Sequence, residues 1–183
     1  MPLNRRTVLK QFLYMSAGMA LLPACLQHHA KSSMLLKHIA IDGDQEKTLA
    51  ELSETIIPAT TTPGAKDVSA HLFVLTMVDD CFTKADRDRW QAGFAAFEKM
   101  SNDLNGKNYL SSTPQQREAL LTKLETVKDE KDDAAWFYQA TKRLTIRCYT
   151  SSKFYLTKVQ VYELVPSRYK GCVPYKPAAR KVA

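Results

Sequence analysis

The sequence predicts an all-α protein, a compact bundle of about five helices with an irregular C-terminal extension that wraps the bundle or a partner. Three observations support this class. Apolar side chains recur at intervals of three and four residues, capping residues precede several of these segments, and no alternating pattern indicates a strand of consequence. The composition, 45% hydrophobic and 25% charged, is that of an ordinary globular domain.

The first two helices are predicted over residues 44–57 and 67–82. In the first, apolar residues recur at helical spacing and Pro58 ends the run. The residues from Pro58 to Gly64 are rich in Thr and Pro, which predicts a rigid connection. The second segment is the most apolar of the helical patterns, so we expect the central helix there.

Capping signals delimit the other three helices. Thr83 is placed to cap a helix that ends at Asn105-Gly106, a pair typical of left-handed C-terminal caps. Thr113-Pro114 opens the next helix with a capping residue and a first-turn proline. A charged bend over 128–133 precedes a long helix predicted over 134–151.

Each of these three helices has an apolar stripe that we expect to face the core. The predicted inward-facing residues are Trp90, Phe94, Phe97, Met100, Ala119, Leu120, Leu121, Leu124, Trp136, Phe137, Ala140, Leu144 and either Tyr149 or Cys148. From about residue 154 the periodicity weakens into a tail rich in Tyr and Pro. We therefore predict one helical domain over 44–183, with this tail as its C-terminal part.

Residues 1–24 are typical of an export signal. A basic start is followed by a moderately apolar stretch of 14 residues, shorter than the about 20 that cross a bilayer. The pair Arg5-Arg6 resembles a twin-arginine signal, which directs folded proteins to export, and a general secretory signal is the alternative. The segment ending at Cys25 resembles a lipobox, in which this cysteine is acylated, and an ordinary cleavage site is the alternative. We predict a lipoprotein-type signal over 1–24 and a flexible lead over 25–43.

The formal charge of +7 is unevenly distributed. Three positive charges and no negative ones lie in residues 1–24, so the mature chain carries +4. Residues 142–183 hold ten lysines and arginines against Glu163 alone, whereas residues 25–141 carry a net −5. A basic C-terminal part on an acidic body offers a surface to another protein or to an anionic membrane. No nucleic-acid-binding motif accompanies it.

The sequence predicts no catalytic, cofactor-binding or metal-binding residue on this chain. It has no glycine-rich phosphate loop, no haem-attachment signature and no nucleophile elbow. Three of its four histidines fall in the lead, and His71 is expected at the surface of an apolar helix. Asp79 and Asp80 are helical neighbours that point about 100° apart. We therefore expect these two carboxylates to cap the helix or pair with a base.

Cysteines of an exported protein tend to pair. With Cys25 assigned to the lipid, Cys81, Cys148 and Cys172 remain. Cys81 lies at a helix end and Cys172 in a Gly-Cys-Val-Pro turn, where geometry can adjust, so Cys81–Cys172 is the predicted disulfide. Cys148–Cys172 is the competing pair.

Several segments in order resemble one family. The twin-arginine leader, the segments Thr55–Ala65 and Asp80–Phe82, and the run Pro166–Tyr175 together resemble the gluconate 2-dehydrogenase subunit 3 family. The resemblance implies a small non-catalytic subunit of a periplasmic flavin-dependent sugar or sugar-acid dehydrogenase. Its partners would be a large flavoprotein of the glucose–methanol–choline type, which holds FAD, and often a multihaem cytochrome c that accepts electrons.

The cysteines of that family match Cys81 and Cys172, which supports their pairing. Cys148 stands where the family commonly has glycine, so this thiol is a departure from the family pattern.

We accordingly expect a subunit needed for twin-arginine export, maturation and stability of the flavoprotein, located in the periplasm and anchored to a membrane through lipid on Cys25. The expected partner interface lies in the tail. Its candidate residues are Tyr155, Arg168, Tyr169 and Tyr175. The alternative is an independent periplasmic helical lipoprotein that binds a small ligand.

Overall fold

The described part of the chain contains five α-helices. The computed structural model describes residues 31–127, 129, 131–160 and 172. The elements in chain order are α1 (Gly43–Ile56), α2 (Ala70–Cys81), α3 (Lys84–Asn105), a 3-10 helix (Tyr109–Ser111), α4 (Pro114–Thr126), α5 (Asp133–Thr150) and a π-helical turn (Tyr155–Val159). The described residues contain no strand, only an isolated β-bridge between Lys31 and Asp42. This confirms the predicted all-α class.

Local capping sets the helix boundaries where the sequence predicts them. Thr83 accepts a hydrogen bond from the N–H of Asp86 at the start of α3, and Gly106 ends that helix with φ +65°. Thr113 and Gln116 form a reciprocal capping box at α4, with Pro114 at its first position. These contacts satisfy helix-end backbone groups that have no partner within the helix.

An aromatic cluster joins α3 to α5 at the centre of the core. The ring of Phe137 lies 5.1 Å from that of Trp90, 5.2 Å from that of Phe94 and 5.4 Å from that of Phe97, measured between centroids. The indole N–H of Trp90 donates to the Thr141 hydroxyl at 3.3 Å. Because α5 also contacts α1, α2 and α4, it is the central helix, not the apolar α2 that the sequence predicts.

Three further sequence predictions need correction. Helix α2 begins at Ala70 rather than 67, because residues 67–69 form a turn in which Ser69 has φ +53°. Ala119 is exposed on α4, although the apolar spacing predicts it to be buried. Trp136 is only half buried, and it packs edge-on against Phe82 at the rim of the core.

A polar network fixes the 3-10 helix between α1 and α4. The Arg117 guanidinium donates to Glu51 at 2.6 Å and to the carbonyl oxygens of Tyr109 and Leu110 at 3.1 and 2.7 Å. Burial raises the pKa of Tyr109 to about 12, and its hydroxyl donates to Thr55 at 3.0 Å. The buried tyrosine therefore stays protonated at neutral pH.

The lead is held against the bundle where the structure describes it. Glu46 on α1 accepts hydrogen bonds from the Ser32 hydroxyl and from the N–H and hydroxyl of Ser33, at 2.9, 2.7 and 2.5 Å. Farther along, Ile39 is buried in the core. From Ser32 to Ile39, side chains of the bundle therefore bind backbone and hydroxyl groups of the lead.

Candidate partner interface

Many of the predicted site residues lie outside the described part of the chain. These are the export pair Arg5 and Arg6, the lipidation residue Cys25, and the tail residues Arg168, Tyr169 and Tyr175. Tyr155, Cys81 and Cys172 are described.

The predicted disulfide is not formed in the structure. Cys81, Cys148 and Cys172 all carry free thiols, and Cys81 and Cys172 are exposed. Cys81 lies in the last turn of α2, where its sulfur is 3.9 Å from the Met77 sulfur of the preceding turn. The competing pair Cys148–Cys172 is absent as well, since Cys148 directs its thiol at the carbonyl oxygen of Val68 at 3.8 Å.

The C-terminal half of α5 and the turn after it carry an exposed basic surface. Arg143 and Arg147 stand one helical turn apart on α5, and Lys153 and Lys158 follow. All four side chains are exposed, and none forms an ion pair with any residue in the described part of the chain. Their charges are therefore available to a partner. We call Arg143, Ile146, Arg147, Lys153, Lys158 and Val159 the C-terminal basic surface.

Apolar side chains stand within this charged surface. Ile146 is 41% exposed on α5, and Val159 is 57% exposed at the end of the π-helical turn. Exposed single apolar residues are common, but here they accompany arginines that form no ion pair with any described residue, and arginine is a residue type that protein interfaces favour. The surface can bury apolar area and bind acidic groups at the same time.

Tyr155 lies next to this surface but is half buried. Its ring packs edge-on against Tyr149, with centroids 6.3 Å apart. The Tyr149 hydroxyl in turn donates to the carbonyl oxygen of Pro63 at 2.8 Å. Tyr155 thus holds the start of the tail against α5 and the connection before α2, which leaves only part of its ring for a partner.

A cleft of about 590 Å³ is lined by Phe154, the residue before Tyr155. Its wall is largely apolar, with Asp67 and Lys153 as its charged residues. The apolar and sulfur-bearing side chains that line it are Pro63, Val68, Phe73, Cys148 and Phe154. Burial raises the pKa of the Cys148 thiol, so this group behaves as an apolar wall rather than as a nucleophile at neutral pH.

The buried Asp79 has a structural role that the sequence did not reveal. Its carboxylate accepts the backbone N–H groups of Lys37, His38 and Ile39 at 2.8, 2.7 and 3.0 Å. Burial opposes its ionisation, but the three donors outweigh that effect and lower the pKa of the carboxyl. It binds the backbone of the lead rather than capping its own helix. Its Oδ1 atom also lies 3.8 Å from the His38 Nδ1 atom, which agrees with the expected pairing with a base. No pattern could have signalled a contact between segments some forty residues apart.

The residues His38, Asp79 and Asp80 come close enough to share a cation, with ligand atoms within 4.8 Å of one another. However, both oxygens of the Asp79 carboxylate already accept backbone hydrogen bonds, and the His38 Nδ1 atom lies 3.0 Å from the Asp79 carbonyl oxygen. In this arrangement Asp79 holds the backbone of the lead, which fits a structural role better than a metal centre.

His71 on α2 is a separate case. Burial lowers the pKa of His71, which favours the neutral imidazole.

The fold thus defines a small all-α domain whose described part presents a basic surface and an apolar cleft. Residues 43–166 match the sequence model of the family described as Gluconate 2-dehydrogenase subunit 3, starting at the first residue of α1. The chain belongs to this family of dehydrogenase subunits, which confirms the resemblance found in the sequence. The comparisons with curated proteins and with solved structures give no match.

None of the helices in the described part of the chain combines the length and the apolar character needed to cross a bilayer.

Proposed function

We propose that this chain is the non-catalytic small subunit of a flavin-dependent sugar or sugar-acid dehydrogenase, and that it accompanies the catalytic flavoprotein through export and stabilises it afterwards. Membership in the gluconate 2-dehydrogenase subunit 3 family supports this role, because the family name describes one subunit of a dehydrogenase that acts on a sugar acid. In this proposal FAD belongs to the large subunit and haem c to an associated cytochrome.

The C-terminal basic surface is the observation that carries the proposal. Its four charges have no partner among the described residues, although the acids of this chain outnumber its bases over residues 25–141. Elsewhere on the bundle, some surface bases do form such pairs, as Lys84 does with Asp88 and Arg89 with Asp133, whereas all four bases of this surface lack one among the described residues. We infer that the flavoprotein supplies the missing acidic groups, which would guide association and fix orientation.

The export part of the proposal depends on Arg5 and Arg6. A flavoprotein that folds around FAD in the cytoplasm needs a route for folded proteins, and a bound subunit with a twin-arginine signal supplies one. Acylation of Cys25 would then keep the complex at a membrane on the periplasmic side. In this proposal the leader directs export and the helical bundle binds the flavoprotein.

Replacing both arginines tests this role. In the R5K/R6K variant, we expect the subunit and the dehydrogenase activity to stay together in the cytoplasmic fraction. The matched control is K10R, which keeps the charge of the leader and the arginine pair, and should export normally. Normal periplasmic dehydrogenase activity in the R5K/R6K variant would contradict the carrier role.

A further inference from the structure

The lead exposes apolar side chains close to the expected anchor. Leu35 is fully exposed, at 101% of its reference area. Beside it opens a groove of about 700 Å³, whose apolar lining includes Met34, Leu36, Ile39 and Ile41. Such a cluster on one short segment is a surface suited to an apolar partner.

Two carboxylates hold this segment in place. Glu46 binds Ser32 and Ser33 on one side of Leu35, and Asp79 binds residues 37–39 on the other. The short loop 34–36 is therefore fixed at both ends. Leu35 lies within this loop with its side chain fully exposed.

The distance to Cys25 limits where this loop can lie. Ser32 is the seventh residue after Cys25, and a fully extended chain over these seven steps spans at most about 25 Å. A lipid on Cys25 therefore keeps the lead close to the membrane surface. Lys31 and Lys37 flank the loop, are exposed, and form no ion pair within the described part of the chain.

We propose that the lead is a second membrane contact, in which Leu35 and Met34 enter the boundary between headgroups and acyl chains of an anionic bilayer while Lys31 and Lys37 meet lipid phosphates. This inference rests on the proposed anchoring through Cys25. The combination of an apolar tip with flanking lysines is the chemistry of interfacial membrane binding. Docking would orient the bundle with the ends of α1 and α2 that hold the lead toward the lipid.

The test uses the complex purified from native membranes, with a fluorescent amino acid incorporated at position 35. The complex is reconstituted into vesicles of phosphatidylethanolamine and phosphatidylglycerol that carry brominated acyl chains. The matched control places the same label at position 104, because Leu104 is also exposed and lies about 25 Å along α3 from Arg87, which contacts the Asp79 carbonyl.

We expect the label at position 35 to lose most of its emission on brominated vesicles and the label at position 104 to keep it. If the protein floats with the vesicles and the two positions emit equally, the lead does not contact the membrane. That result would overturn the proposed membrane contact of the lead but not the lipid anchor on Cys25. The proposed membrane contact would also be overturned if the label at position 35 has already lost its emission in the complex without vesicles and the vesicles cause no further change. The lead would then contact the flavoprotein instead. Protein that does not float with vesicles would overturn the anchor and the docked lead together.

Discussion

Gly93 on α3 lies directly against the backbone carbonyl of Asp133 at the start of α5. A Cβ atom on residue 93 would come within 2.3 Å of that carbonyl oxygen and 2.7 Å of the Phe137 Cβ. Real Cβ atoms do not approach other atoms so closely, so the missing side chain sets the separation of the two helices. The same pair of helices carries the aromatic cluster, and the packing of the core depends on this contact.

G93A should therefore destabilise the bundle. The added methyl group would push α3 and α5 apart, and we expect the free energy of unfolding to fall by about 3 kcal/mol. The cost is large because backbone atoms must move, whereas the end of a flexible side chain could rotate away. Chemical denaturation measures the loss. The matched control is G106A, where the added Cβ meets no atom within 4 Å and only the positive φ opposes it, at a cost of about 1 kcal/mol. Equal losses in the two variants would contradict the close helix contact.

D79A should release the lead. The variant loses three hydrogen bonds to a charged acceptor, and we expect the unfolding free energy to fall by about 3 kcal/mol. Amide hydrogen exchange should accelerate at residues 37–39, which no longer have an acceptor. D80A is the control, because Asp80 is exposed and its removal should change stability by no more than about 0.5 kcal/mol. Unchanged exchange at residues 37–39 in D79A would show that the lead is held by other contacts.

Acid should destabilise the fold. Burial opposes ionisation of Asp79, Glu46 and Glu51, but the hydrogen bonds that these carboxylates accept have the larger effect. Their pKa values in the folded state therefore lie below the ordinary 3.8 for Asp and 4.5 for Glu. The unfolded chain then binds more protons as the pH falls below about 5, so the stabilisation present above that pH is lost progressively toward the lower folded-state pKa values.

Melting temperature measured from pH 7 to pH 3 checks this dependence. We expect a steady decline below about pH 5, and a shallower one in D79N, which lacks one of the titrating groups. A melting temperature that stays constant or rises as the pH falls over this range would contradict the claim that these ionised carboxylates stabilise the fold.

The thiols should differ in reactivity. Cys81 is exposed, whereas Cys148 is partly buried with a raised pKa, so maleimide should modify Cys81 rapidly and Cys148 only on unfolding. Mass spectrometry of peptides identifies each modified site. C148S is the control that leaves labelling of Cys81 unchanged. Resistance of both Cys81 and Cys172 until a reductant is added would show that these two cysteines pair.

Features that depend on neighbouring residues were predictable from the sequence. Thr83, Thr113 and Gly106 delimit helices because their side chains or backbone angles act within one turn. The stripe of Trp90, Phe94 and Phe97 follows from helical spacing alone, and all three are buried.

Features that depend on distant contacts were not predictable. Asp79 binds a segment some forty residues away, and Tyr109 is buried because Arg117 and Thr55 come from two other helices. Ala119 fits the apolar spacing of α4, yet the helix turns it to solvent. The basic excess of the C-terminal part was visible in the composition, but only the fold shows that Arg143 and Arg147 form no ion pair among the described residues.

Association with a flavoprotein is the central claim, and purification of the tagged full chain from native membranes tests it most directly. We expect a flavoprotein to co-elute, with flavin absorbance in the same peak, and the R143E/R147E variant to lose it. The matched control is K99E/K123E, which reverses two exposed helical lysines that form no ion pair within the described residues. A wild-type chain that elutes alone and without flavin would contradict the subunit role and favour an independent lipoprotein.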